Sequence, residues 1–290
     1  MGFTVDQSIK SFDGRLLKLS HKSEVTHAEM AVNVYLPQQY FAEGSKKLPI
    51  LLYLSGLTCT PNNASEKAFF QPYANKYGFA VVYPDTSPRG ANVAGEDDSW
   101  DFGTGAGFYL DATEEPWSKN YRMYTYLLKE LLPLIGKEYE RLDTTNVSIC
   151  GHSMGGYGAL MLYLKNPDIF NSCSAFAPIA NPSNCQWGQK CFGNYLGSDK
   201  AKWAQYDPCE LIHNFKGEKK PILIHQGTAD NFYRRDHQLQ PENLVKAAKN
   251  SPLDGLIDLE LVDGYDHSYY FISSFVADHC AFHAKYMGLD

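Results

Sequence analysis

The sequence predicts an α/β fold, with a mostly parallel central sheet covered by helices on both faces. The first observation is a series of short apolar runs, each followed by turn residues, that recur along the 290-residue chain. Most of these runs are apolar at consecutive positions, which is typical of strands buried on both faces. The second observation is that helical patterns lie between the runs, and this alternation favours a parallel sheet. The predicted strands span residues 31–37, 50–55, 80–84, 147–150, 173–178, 222–226 and 257–262.

Three helices can be placed between or after these strands. Thr60 and Pro61 resemble an N-cap and a first-turn proline ahead of a helix over residues 68–77. A C-terminal helix is expected to carry His279 and His283. A third helix with one buried face is predicted where apolar residues keep a spacing of three and four, namely at Tyr124, Leu127, Leu128, Leu131, Leu132 and Ile135.

Composition and charge exclude several classes of protein. Hydrophobic residues make up 44% of the chain and charged residues 20%, which is too apolar for a disordered protein. The formal net charge is 26 − 33 = −7, so we expect neither a nucleic-acid partner nor an anionic membrane surface. No signal peptide and no 18-residue apolar run is recognisable, which predicts a cytoplasmic protein. No repeat or linker divides the chain, which predicts one domain over residues 1–290.

The cysteines and histidines do not indicate a metal or cofactor site. The seven cysteines are odd in number and contain no Cys-x-x-Cys, so neither a disulfide framework nor a zinc knuckle is expected. His279 and His283 are four residues apart, but the glutamate of a zinc protease is missing between them, so a helix-surface or packing role is favoured. The acidic run 96–98 lacks ligand spacing and is expected to be solvated. We therefore expect no metal and no cofactor.

One motif carries a chemical prediction. The residues Gly151-His-Ser153-Met-Gly155 match the G-x-S-x-G turn, follow the strand at 147–150 directly, and open into a helix of small residues. In this turn glycines flank a serine whose backbone is strained, so that its hydroxyl stands at the end of the sheet. The motif predicts that Ser153 is a nucleophile in an α/β-hydrolase fold. The alternative is a glycine-rich packing turn with a structural serine.

A serine nucleophile needs a general base that a third group holds in place. In α/β-hydrolases the chain order is serine, acid, histidine, and only His267 stands in a loop directly after the last predicted strand. His225 lies within a strand and is expected to be a buried core residue. Asp230, just beyond the penultimate strand, is favoured as the acid over Asp266, which is the direct neighbour of His267 in the chain.

Two backbone N–H groups are predicted to stabilise the oxyanion. One belongs to Met154, the residue after the nucleophile. The other is expected in the loop after residues 50–55, where Gly56 allows a close approach and makes the Leu57 N–H the candidate donor. Both are main-chain groups, so the identity of their side chains is secondary.

Several longer segments carry a more specific resemblance than the turn alone. The chain resembles the S-formylglutathione hydrolase family, also called esterase D, from about residue 36 to its end. The segments that carry the resemblance are SGLTCT at 55–60, DTSPRG at 85–90, SWDFGTGAGFY at 99–109, GHSMGG at 151–156, SAFAP at 174–178 and GYDHSYYF at 264–271. The family's triad falls on Ser153, Asp230 and His267, and its oxyanion loop falls on Gly56 and Leu57.

The resemblance implies hydrolysis of the thioester S-formylglutathione to formate and glutathione through an acyl-serine, as part of formaldehyde detoxification. It also implies a small-molecule partner and a possible homodimer. Cys59, Trp100, Trp187 and Tyr269 are candidates for the walls of a small acyl pocket, with ordinary core packing as the alternative for each. Arg89 and Lys190 could meet a glutathione carboxylate, but salt bridges are favoured for both.

Two rival functions remain open at this point. The first is a general short-chain carboxylesterase, because the same three residues also cleave oxoesters. The second is a catalytically silent hydrolase fold that acts as a binding protein.

Overall fold

A computed structural model describes residues 2–44 and 46–289 of the chain, so the ends of the predicted domain at 1 and 290 and residue 45 lie outside the described part. Nine strands form one mixed sheet in the order β1-β2-β3-β5-β4-β6-β7-β8-β9. The strands are β1 Thr4–Ser11, β2 Gly14–Lys22, β3 Glu29–Leu36, β4 Leu48–Leu54, β5 Ala80–Pro84, β6 Leu142–His152, β7 Phe170–Phe176, β8 Ile222–Gly227 and β9 Ile257–Val262.

All seven predicted strands are present as β3 to β9. Every pair of neighbouring strands is parallel in the part of the sheet with the order β5-β4-β6-β7-β8-β9, as the consecutive apolar runs predict. Strand β4 lies in the middle and is buried at each of its seven residues. The antiparallel part comprises β1, β2 and β3, with β3 paired to β5.

The helices were predicted only in part. They are α1 Pro61–Lys67, α2 Gln71–Tyr77, α3 Met123–Thr125, a π-helical segment Tyr126–Leu131, α4 Leu132–Glu138, α5 Met154–Lys165, α6 Gln186–Tyr195, α7 Lys200–Ala204, α8 Pro208–Leu211, α9 Asn231–Arg234, α10 Pro241–Ala248 and α11 Tyr269–Met287. Short 3₁₀ turns occupy Gln38–Phe41, Pro182–Asn184 and Ile212–Asn214. None of the helices in the described part is long and apolar enough to cross a membrane.

Two predicted helices depart from regular geometry, and prolines account for both departures. Thr60 is an N-cap as predicted, but α1 ends at Lys67 and a new helix starts at Gln71. Pro72 has no N–H for a continuous helix, and Phe69 turns the chain at a φ of 61°. In the second case Pro133 follows the π segment Tyr126–Leu131. A π turn accommodates the ring that would otherwise clash with the preceding turn.

Helices α5 and α11 cover opposite faces of the sheet centre. Leu54 faces α5, where Gly158 leaves just enough room for its side chain. Cys150 points to the other face and contacts His279 of α11. Both helices also pack against β6, so this strand is held in place from both sides.

A hydrogen-bonded chain of polar side chains lies buried between the sheet and α11. His225 Nδ1 is 3.0 Å from His279 Nε2, and His279 Nδ1 is 2.8 Å from the Ser174 hydroxyl. The same hydroxyl is 2.7 Å from His283 Nε2, whose Nδ1 is 2.7 Å from Ser172 Oγ. His225 is therefore a buried core residue as predicted, and of the two roles left open for His279 and His283 the structure shows packing.

This buried chain is expected to make the fold sensitive to acid. Burial lowers the pKa of His279 well below its usual value, with nearby His225 and His283 adding to the effect, and burial lowers the pKa of His283 to about 3. As the pH falls below about 6.5, these histidines take up protons in the unfolded chain while they stay neutral in the folded chain. Each of them therefore lowers the free energy of unfolding by up to about 1.4 kcal/mol per pH unit.

Urea unfolding between pH 7 and pH 5 measures this loss. His283→Gln keeps a polar side chain near Ser172 and Ser174 and removes one titrating group. The free energy of unfolding of this variant should therefore fall less steeply with decreasing pH than that of the wild type, by up to about 1.4 kcal/mol per pH unit. A slope identical to that of the wild type would contradict the assignment.

Candidate active site

The loops that follow four parallel strands meet at one edge of the sheet. Strand β4 leads to Gly56 and Leu57, β6 to Ser153, β8 to Asp230 and β9 to His267. The carboxyl ends of parallel strands share one edge, which is why residues so distant in the chain converge there. A cavity of about 190 Å³ lies at this edge, lined by Gly56, Leu57, Cys59, His152, Ser153, Trp187, Phe232, His267 and Tyr269.

Ser153 occupies a strained turn between β6 and α5. Its φ of 59° and ψ of −119° lie where a side chain other than glycine is seldom found. The turn is fixed by two backbone hydrogen bonds, in which the Ser153 N–H donates to Phe176 O at 3.0 Å and Ile179 N–H donates to Ser153 O at 3.2 Å. Such strain persists only where the surroundings hold it, which favours the nucleophile turn over a plain packing turn.

The two glycines of the motif are required by space. A Cβ on Gly151 would overlap the carbonyl of Gly155, and a Cβ on Gly155 would overlap the carbonyl of Leu54. The first turn of α5 is therefore packed directly on the ends of β4 and β6, and it carries Ser153 to the cavity.

His267 is paired with Asp230. Its Nδ1 is 2.5 Å from Asp230 Oδ2, and the Asp230 side chain is wholly buried. Asp230 also accepts hydrogen bonds from Phe232 N–H at 2.8 Å and from Gln226 Nε2 at 3.3 Å. Asp266 instead accepts from the backbone N–H and hydroxyl of Ser268. The structure thus places Asp230, rather than the sequence neighbour, against the imidazole.

Ser153 and His267 line the same cavity, but within the described residues no hydrogen bond of 3.5 Å or less joins them. Catalytic hydrogen bonds are often long before substrate binds and shorten in the reacting complex. With Asp230 on Nδ1, the Nε2 of His267 is the nitrogen left for the serine hydroxyl.

Both predicted oxyanion donors lie beside Ser153. Met154 is the first residue of α5, so its N–H has no partner within the helix. Leu57 lines the cavity, and the backbone before it approaches so closely that a Cβ on Gly56 would lie 3.2 Å from the Ser153 Cβ. This close approach explains the glycine.

The loop at residues 56–59, which carries the predicted oxyanion donor Leu57, is anchored from the loop that follows β5. The Cys59 carbonyl accepts hydrogen bonds from the Thr86 hydroxyl at 2.6 Å and from an Arg89 Nη atom at 3.0 Å. Arg89 is itself paired with buried Asp85, at 2.9 Å from Nε to Oδ2, and Thr58 N–H donates to Gly105 O at 2.9 Å. The salt bridge expected for Arg89 is confirmed, and it fixes the loop.

Three of the four candidate pocket residues line the cavity. Cys59, Trp187 and Tyr269 are among its walls, whereas Trp100 packs edge-on against Trp187 at 5.6 Å between ring centroids and is half exposed. The Cys59 thiol is 3.8 Å from the Tyr269 hydroxyl, and burial raises the pKa of that thiol. A protonated thiol is a weak nucleophile, which favours Ser153 over Cys59 as the candidate nucleophile.

Sequence reasoning missed two aromatic walls. The His152 ring lies 4.4 Å from the His267 ring, and burial lowers its pKa well below the usual value, with His267 adding to the effect. Phe232 packs edge-on against His267 at 5.0 Å. Both residues could have been found from their closeness in sequence to the candidate catalytic residues, because His152 precedes Ser153 and Phe232 follows Asp230 by two residues.

The acidic run 96–98 forms no metal site. Asp97 and Asp98 are exposed, as expected for a solvated run, but the expectation is wrong for Glu96, which is buried and accepts a hydrogen bond from the Tyr121 hydroxyl at 2.9 Å. Within residues 2–44 and 46–289, no group of three or more potential ligand side chains could hold a metal ion.

The strand order and the strained turn at Ser153 define the protein as an α/β-hydrolase with the site of a serine esterase. A family model described as putative esterase matches residues 23–282. An S-formylglutathione hydrolase of Saccharomyces cerevisiae is 52% identical over 95% of this chain and 96% of its own length. One of Arabidopsis thaliana is 51% identical over 97% of each chain.

Solved structures agree with these relatives. An S-formylglutathione hydrolase from Agrobacterium tumefaciens superposes with a TM-score of 0.91 at 45% identity, covering 99% of this chain and 100% of the other. A ferulic acid esterase shares the fold alone, with a TM-score of 0.70 at 18% identity. The chain belongs to the S-formylglutathione hydrolase family.

Proposed function

We propose that the chain hydrolyses S-formylglutathione to formate and glutathione. The observation that carries this proposal is the small cavity at which Ser153 and the His267–Asp230 pair meet, in a chain about half identical to enzymes of that name over its full length. A volume of about 190 Å³ lies below the range of sites that hold drug-sized ligands, and it suits a formyl group rather than a long acyl chain.

The mechanism assigns one role to each residue. His267 takes the proton of the Ser153 hydroxyl, and the serine oxygen attacks the formyl carbon. The N–H groups of Leu57 and Met154 stabilise the tetrahedral oxyanion. The carbon–sulfur bond then breaks, and the sulfur of the leaving glutathione takes the proton held by His267, so the imidazole is neutral again.

The second half of the cycle returns the enzyme to its starting state. Water enters the cavity, and His267 takes its proton while the oxygen attacks the formyl carbon of formyl-Ser153. When the second tetrahedral intermediate collapses, His267 gives its proton back to the serine oxygen, and formic acid leaves and ionises to formate in solvent. Asp230 stabilises the imidazolium that forms in both halves.

A substrate series tests the proposal against the carboxylesterase alternative. We expect kcat/KM for S-formylglutathione to exceed that for S-acetylglutathione and for nitrophenyl acetate, because the cavity has room for the smallest acyl group and the thiolate leaves readily. A preference for the oxoester by more than about tenfold, equivalent to about 1.4 kcal/mol in transition-state binding, would assign the chain to the general esterases.

The cellular setting and the assembly are part of the same proposal. We infer a cytoplasmic enzyme acting on a small-molecule thioester, as a single domain and a possible homodimer. All seven cysteines are free, and six of them are buried, which agrees with a reducing compartment.

A further inference from the structure

A second cavity adjoins the acyl cavity and shares one wall with it. It has a volume of about 490 Å³ and lies between the end of α1 and the start of α11. Tyr269 lines both cavities, so a molecule whose acyl group sits near Ser153 can extend past this ring. The volume is in the range that holds ligands the size of a tripeptide.

The lining of this second cavity suits a charged peptide. Lys67 and Glu66 stand beside each other on one side, with Ser268 and Ser273 on the other. Two exposed aromatic rings complete the lining, since Phe69 is 56% and Tyr270 is 85% exposed. Large aromatic side chains exposed in this way are the usual contact surface for a ligand's backbone and side chains.

Lys67 lines the second cavity and is available for an anion, whereas Arg89 and Lys190 are already paired. Arg89 is held by Asp85, and Lys190 is held by Asp101 at 2.5 Å. Lys67 makes no ion pair with any of the residues that the structure describes. It is close enough to the Cys59 thiol to lower that thiol's pKa, although burial, which raises it, has the larger effect. Lys67 is therefore near the reacting centre and exposed.

We propose that the cavity between α1 and α11 binds the peptide part of the glutathione leaving group, with Lys67 as the partner of one of its carboxylates. This inference rests on the proposed function, since it concerns the same substrate. Glutathione carries two carboxylates, and the chain has a net charge of −7, so a local cation is needed to hold it. The start of the 19-residue helix α11 at Tyr269 adds positive potential to the same cavity.

Two thioesters with the same reacting group test the assignment. S-formylglutathione carries the carboxylates, and the S-formyl derivative of N-acetylcysteamine lacks them. The quantity measured is the ratio of kcat/KM for the first to kcat/KM for the second. We expect Lys67→Ala to lower this ratio about threefold and Lys67→Glu to lower it about tenfold, the range for exposed ion pairs and their reversal, while Lys67→Arg retains it.

Lys76→Glu is the matched control. Lys76 is also an exposed lysine in the last turn of a short helix, but it does not line either cavity. We expect this change to leave the ratio within about a factor of 1.5, since distant exposed charges are screened. A second readout is inhibition by glutathione itself, whose inhibition constant should rise in Lys67→Glu.

The two proposals fail in different ways. If the wild type does not hydrolyse S-formylglutathione, the proposed function is wrong. If the wild type does hydrolyse it, but Lys67→Glu and Lys76→Glu show the same ratio and the same inhibition by glutathione, the function stands and the peptide site is wrong. A loss of activity toward both thioesters in equal proportion would mark Lys67 as structural and would also overturn the site.

Discussion

Ser153→Ala is expected to abolish turnover while the fold is retained. The substitution removes the oxygen that attacks the formyl carbon of the thioester in the proposed mechanism, and the loss in kcat should be on the order of 10⁴ to 10⁶. The residual rate would come from the oxyanion donors at Leu57 and Met154. Steady-state hydrolysis of S-formylglutathione measures the loss, and thermal unfolding of the same sample measures the fold.

Ser8→Ala provides the control for this experiment. Ser8 is exposed on the edge strand β1, far in the sheet order from β6, so this change should leave kcat within about twofold, as surface substitutions do. Activity of Ser153→Ala equal to that of Ser8→Ala would rule out the acyl-serine mechanism. A second check is mass spectrometry after mixing with a slow ester, which should show an added acyl group on the wild type alone.

The strained turn at Ser153 sets a limit on stability tests at this site. The φ of 59° costs about 1–3 kcal/mol for a residue other than glycine, and alanine inherits that cost. We therefore expect the melting temperature of Ser153→Ala to be close to that of the wild type, because the substitution removes the hydroxyl and leaves the strained backbone conformation unchanged.

The strands of the central sheet could be predicted because burial on both faces leaves a local signature. Strand β4 is apolar at nearly every position and is buried at all seven. Strand β1 leaves no such signature, because all but its last residue are exposed at the sheet edge. Its pairing with β2 depends on contacts between segments rather than on the composition of either one, so these two strands were missed.

The reacting groups could be predicted because their positions follow from topology. A residue just past the end of a parallel strand must lie at the common edge, which places Ser153, Asp230 and His267 there without further information. The walls of the cavity could not be predicted in this way. Whether Trp187 or Trp100 faces the cavity depends on how α6 packs against the loop between β5 and α3, and no local pattern records that orientation.

Asp230→Asn is expected to lower kcat about 10⁴-fold, the loss seen when the acid of such a triad becomes an amide. In the wild type the buried carboxylate accepts a hydrogen bond from His267 Nδ1–H, which leaves Nε2 free to take the serine proton. An amide can donate to Nδ1 instead, which favours the tautomer whose Nε2 already carries a proton and cannot act as a base.

Asp266→Asn separates this effect from a general loss of charge beside His267. Asp266 contacts Ser268 rather than the imidazole. Its amide variant keeps an oxygen that can accept from Ser268, so kcat should stay within about threefold and stability within about 0.5 kcal/mol. The reverse ranking of the two variants, measured as kcat for S-formylglutathione with equal folded fractions, would transfer the acid role to Asp266 and contradict the geometry of the pair.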